Sequence, residues 1–154
     1  MKFNFYAIKL SLIICLVFVM QFFIKGFTEL FVLNGLSLSQ PWRFLTAIFL
    51  HGGIGHLVLN LFALVLFGSI LEKFVGGKRF LGVFLVTGIL ANLVSFFFYN
   101  VSLGASGAIF GIIGALIFVR PLMIVWAFGI FHSLEIEYRH FTTKLFINWK
   151  TTAI

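Results

Sequence analysis

A chain of 154 residues that is 62% hydrophobic and only 10% charged, with 23 phenylalanines, lies far outside the soluble globular range of about 45–50% apolar and about 25% charged residues. A mean hydropathy of +1.17 reads as a polytopic membrane protein, a single small domain with room for four or five spans of about 20 residues each. The net charge of +7 does not point to nucleic acid, because the eleven basic residues stand singly between apolar runs and near the C-terminus instead of forming a stripe.

From Phe3 to Ile24 the apolar run is broken only by Asn4, Lys9, Ser11 and Gln21, which predicts a first span with Lys9 snorkelling near its start. A cleaved signal peptide is the alternative. The run exceeds the usual apolar region of about 7–15 residues and no small-x-small site closes it, so a retained span is expected. The lone Cys15 excludes an internal disulfide and leaves the redox compartment open. Residues 25–52 form a connection too long for a tether and are expected to be a structured or functional loop.

A second span is predicted over Gly53–Leu71, and the turn EKFVGGKR follows. The third span is placed at Phe80–Tyr99, the turn NVSLGA comes next, and the fourth runs over Ser106–Val119. It stops at Arg120 and Pro121, since proline lacks an amide donor and disfavours helix in the residue before it. Residues 122–134 make a fifth apolar run too short to span comfortably, and the tail from Glu135 is too polar for a sixth. The expected architecture is an all-α transmembrane bundle with a domain over residues 1–134 and a basic tail over 135–154.

Lysine and arginine set the expected orientation. With the N-terminus inside, the inner segments collect Lys2, Lys9, Lys73, Lys78, Arg79 and Arg120, and the outer ones only Lys25 and Arg43. A cytoplasmic N-terminus follows, with the 25–52 loop and the start of the fourth helix on the outer side.

Polar groups inside membrane segments are costly and by default functional. His56 and Asn60 lie four residues apart, on one face of the second helix, and the assumed topology brings Ser106 in from the same side. A serine at a helix N-terminus sits among free amides and the positive end of the macrodipole, where developing negative charge is favoured. Histidine and asparagine donors aimed at the same oxygen would complete an oxyanion hole, and a general base near the hydroxyl would complete acyl-transfer chemistry. The alternative reading of LGASGAIFG is packing, through a small-residue face that includes Gly107, Gly111 and Gly114.

Four stretches in order carry a family resemblance. QPWRFLTAIFLHGG, HLVLN at 56–60, LEKFVGGKRFL at 71–81 and GASGAIFG at 104–111 together resemble the rhomboid intramembrane serine proteases, over about residues 41–121. The resemblance implies that Ser106 is the nucleophile, that His56, Asn60 and the Ser106 amide stabilise the oxyanion, and that Trp42 and Arg43 belong to a membrane-embedded loop. His51 matches a histidine near the active-site mouth, and Glu72 a structural acid. The implied activity is cleavage of transmembrane helices of substrate proteins within the lipid bilayer, without metal or cofactor. The family places its base on a sixth helix, and no such apolar span follows residue 121. Truncation or a frame change after that point is one expectation, and His132 is the candidate base within the chain. A non-cleaving relative that only binds transmembrane helices is the alternative function.

Overall fold

The computed structural model describes residues 4–120. It falls into two units, Met1–Ala115 and Leu116–Ile154, and the packing below belongs to the first. The fifth apolar run, His132 and the expected boundary at residue 134 lie outside the described residues.

Among the described residues, three helices are long and apolar enough to cross a membrane: α1 (Tyr6–Phe23), the run Ile54–Val75, and α6 (Gly77–Phe98). Ile54–Val75 consists of α4 (Ile54–Ala63), a π-helical turn at Leu64–Gly68, and α5 (Ser69–Val75). The last helix among the described residues, α7 (Ser106–Val119), has the bounds expected for a fourth span. Its 14 residues reach about 21 Å, short of a hydrocarbon core about 30 Å thick. The expected turn over EKFVGGKR shrinks to Gly76, whose φ of 85° is open to glycine at no steric cost. That one residue ends α5 and caps α6.

The 25–52 connection is structured, as its length predicts. It holds α2 (Phe27–Phe31), a 3-10 turn at Gly35–Leu38, α3 (Arg43–Thr46) and a second 3-10 turn at Ala47–Phe49. It also holds an element outside the all-α expectation. Strand β1 (Leu33–Asn34) pairs antiparallel with β2 (Val101–Ser102), with Leu33 opposite Ser102. Two-residue strands give no period to read, so alternation could not reveal them.

Buried polar side chains fasten this connection. Arg43 is 3% exposed; its Nη1 donates to the carbonyls of Glu29 at 2.7 Å and Val32 at 2.8 Å, and its Nε to Gln40 at 2.6 Å. Thr46 donates to the Phe31 carbonyl, and Asn92 of α6 to that of Phe44, both at 2.8 Å. Loop carbonyls in an apolar setting need such donors, because an unpaired buried backbone group costs as much as a lost hydrogen bond.

At the opposite end of α1, Glu72 is 1% exposed. One carboxylate oxygen accepts the amides of Asn4 at 3.0 Å and Tyr6 at 3.1 Å, and the other that of Ala7 at 3.1 Å. The core between these ends is built on Phe80 and Phe84 of α6, both fully buried. Gly68, in the π-helical turn, lets α1 come close: a Cβ there would lie 3.1 Å from the Ala7 Cβ.

The small face of α7 has a partner in α6. A Cβ on Gly107 would overlap Ala91, and one on Gly111 would overlap Thr87. At Gly107 and Gly111 the neighbour against this small face is α6. Gly114 meets nothing within 4 Å among the described residues. Thr87 donates to Val83 of its own helix and lies 3.4 Å from the Ala108 carbonyl. Gly111→Leu is expected to push the two helices apart and cost about 1–3 kcal/mol. Unfolding in mixed detergent micelles checks this; an unchanged midpoint would contradict the packing.

Candidate active site

The candidate site is assembled by three short segments. Gly104 precedes α7 with φ of 119° and donates its amide to the Ala47 carbonyl at 2.9 Å. With β2 paired to β1, that bond docks the turn before α7 against the 25–52 segment. The chain can then enter α7 at Ser106, so the first-turn amides there lack intrahelical partners.

The ring of His56 packs on this turn. A Cβ on Gly104 would lie 2.7 Å from its Cε1 and 2.9 Å from its Nε2, so only a glycine leaves room for the imidazole. The half-buried His56 thus sits against the backbone two residues before Ser106. Asn60, 7% exposed, lies one turn further along α4 and donates from Nδ2 to the His56 carbonyl at 2.8 Å. That bond uses one of its two amide hydrogens and leaves the other. Its Oδ1 is buried without a hydrogen-bond partner among the described residues.

His51 is 2% exposed, and its ring stands 5.0 Å from that of His56 at 56°. Its backbone is clamped by Gln21 of α1: the His51 amide donates to Oε1 at 2.9 Å, and Nε2 of Gln21 donates to the His51 carbonyl at 3.2 Å. Nδ1 lies 3.3 Å from the Phe49 carbonyl. A carbonyl only accepts, so Nδ1 carries the hydrogen and Nε2 is a bare acceptor in the neutral ring. Burial, reinforced by the neighbouring His56 and opposed by the Phe49 carbonyl, lowers the pKa to about 4, so the ring is neutral from pH 5 upward.

Ser106 is exposed, and its hydroxyl makes no hydrogen bond among the described residues. Trp42, 50% exposed, precedes α3. The structure therefore brings His51, His56, Asn60 and the turn before Ser106 together. Arg43 serves the loop and not the cluster, and Gly107 and Gly111 serve the α6 contact. Gln21 escaped the reading of the sequence; its signal was a lone amide near the end of an apolar run. No group of three or more metal-ligating side chains occurs among the described residues.

Sequence comparison adds an independent line. The Rhomboid domain family matches residues 38–149, which takes in all four motif-bearing stretches and continues beyond them. The chain is 49% identical over 82 residues to Rhomboid protease GluP of Bacillus subtilis, covering 53% of this chain and 16% of that protein. It is 40% identical over 81 residues to RHOMBOID-like protein 6, mitochondrial, of Arabidopsis thaliana, covering 51% and 26%. It is 39% identical over 88 residues to Putative rhomboid protease YdcA of Bacillus subtilis, covering 55% and 44%. The chain thus spans less than half the length of each of these relatives. With a match over more than half of its residues, helices fit to cross a membrane and the four motifs in order, this chain belongs to the rhomboid family.

Proposed function

We propose that the chain is an intramembrane serine endopeptidase that cuts transmembrane helices of membrane proteins near their outer end, with its N-terminus in the cytoplasm. The observation that carries this reading is the seating of His56 against Gly104, two residues ahead of Ser106, with Asn60 one turn away on the same helix. In the reaction the Ser106 Oγ attacks the scissile carbonyl and passes its proton to a base. The carbonyl oxygen becomes an oxyanion held by the Ser106 amide, His56 and Asn60. Collapse expels the amine, which takes the proton from the base, and water then releases the acyl group from Ser106. Preorganised donors of this kind contribute about 10²–10³ each in rate. The base comes from outside the described residues, and His132 is the candidate.

Cleavage of a model transmembrane substrate in liposomes, together with fluorophosphonate labelling, tests the proposal. Ser106→Ala is expected to remove both activities, and His132→Ala to remove cleavage. Equal turnover by the parent and Ser106→Ala would refute the assignment. A second reading, binding of transmembrane helices without cleavage, is favoured by the exposed Ser106 hydroxyl and its lack of a partner among the described residues. Co-purification of a single-pass protein that survives Ser106→Ala, with no hydrolysis by the parent, is its signature.

A further inference from the structure

Four cations at the Glu72 end of the bundle have no acidic counterpart. Lys9, Lys73, Lys78 and Arg79 are all exposed, and none of them makes an ion pair among the described residues. Of the two described acids, Glu72 is buried and spends both oxygens on the amides of Asn4, Tyr6 and Ala7. The other, Glu29 of α2, lies past the far end of α1.

The packing draws the four cations together. Glu72 holds the start of α1 next to Lys73. A Cβ on Gly77 would lie 2.5 Å from Cδ2 of Tyr6 and 2.9 Å from Nδ2 of Asn4, so the start of α1 is pressed against the first residue of α6, beside Lys78 and Arg79. Lys9 bends back to the same place, with Nζ 5.2 Å from the centre of the Tyr6 ring. One tyrosine ring thus touches the start of α6 and carries the Lys9 ammonium. Like charges gathered in this way repel one another, and an anion supplied from outside the chain relieves them.

The depth of the cluster selects that anion. α5 and α6 are joined by Gly76 alone, so no loop lifts Lys73, Lys78 or Arg79 above the ends of the spanning helices. The backbone of Lys9 lies inside α1, and its head reaches the boundary along its stem. All four charges therefore stand at the level of lipid headgroups. Phe5 and Ile8, 53% and 40% exposed, offer apolar surface to an acyl chain alongside. A nucleic acid or an acidic soluble protein, approaching from water, has no such access to Lys9.

We propose that Lys9, Lys73, Lys78 and Arg79 form a docking surface for the headgroups of anionic glycerophospholipids in the leaflet at this end. The phosphodiester accepts hydrogen bonds from the ammonium groups, and the planar Arg79 guanidinium presents two parallel donors to it. Such docking is independent of the chemistry at Ser106 and of the side of the membrane on which the N-terminus lies.

The test titrates the full chain in mixed micelles with dioleoyl phosphatidylglycerol or dioleoyl phosphatidylcholine and counts the retained lipids by native mass spectrometry. A basic residue near a charged membrane surface is worth about 1 kcal/mol, or about fivefold. The parent is expected to bind phosphatidylglycerol at least tenfold more tightly than phosphatidylcholine, and the preference to shrink between about 0.1 M and about 1 M salt. The triple variant Lys73→Gln, Lys78→Gln, Arg79→Gln is expected to bind the two lipids within twofold of each other. Lys78→Arg keeps the preference, as does Lys25→Gln at the far end of α1. If the triple variant does not fold, the three single glutamine variants decide, each expected to lose at least twofold. Equal retention of the two lipids by the parent, or a preference that survives loss of the cations, overturns the proposal. Displacement of phosphatidylglycerol by an equal concentration of inorganic phosphate marks a free-anion site and overturns lipid docking as well.

Discussion

Gly104→Ala is expected to slow fluorophosphonate labelling of Ser106 at least tenfold, with helix content unchanged. Two separate effects converge at this position. The backbone φ of 119° is one that a side-chain-bearing residue adopts only with strain of about 1–3 kcal/mol. The added methyl group would also sit 2.7 Å from the His56 ring, so the ring must turn away from the site. If His56 donates to the oxyanion, its displacement removes one preorganised donor, which is worth about 10²–10³ in rate. The His56 ring resonances report the displacement without reference to catalysis. Gly82→Ala is the control, since a Cβ at Gly82 meets nothing within 4 Å. Unmoved His56 signals and full labelling in Gly104→Ala would show that the imidazole does not depend on this turn.

The apolar runs and the glycine punctuation made the helices legible. α7 has its predicted bounds, and the spans at α1, Ile54–Val75 and α6 shift by a few residues at their ends. Spacing also placed His56 and Asn60 on one face, because a period of 3.6 needs no tertiary information. What the sequence hides is which helix fills which groove. Gly107 and Gly111 carry a small face that any neighbour could use, and only the coordinates show Thr87 and Ala91 against it. The same holds for Arg43. Its motif implied a residue of a membrane-embedded loop, and only the structure shows the three hydrogen bonds by which it fastens that loop. Carbonyl acceptors exist in every residue, so no side-chain pattern marks them out. Gln21 was equally unreadable, since its partner is the backbone of His51, thirty residues on.

Glu72→Ala is expected to destabilise the fold by about 3 kcal/mol or more, the largest stability effect of any single substitution considered. The carboxylate accepts three backbone amides at the start of α1. Those donors have no intrahelical partners of their own, and the negative charge also complements the positive end of the α1 macrodipole. Hydrogen bonds to a charged group contribute about 1.5–3 kcal/mol each, and donors left unpaired when the acceptor is removed carry their desolvation cost. Glu72→Gln keeps one acceptor oxygen and gives up the charge, so it is expected to lose about half as much. Unfolding midpoints in mixed micelles separate the three forms, and equal midpoints for Gln and Ala would show that charge, not acceptor geometry, holds α1. The consequence reaches the site. α1 starts on Glu72 and, about 20 Å further along its axis, presents Gln21 to His51. In Glu72→Ala the His51 amide is therefore expected to exchange with solvent faster than in the parent, although the two residues lie at opposite ends of α1.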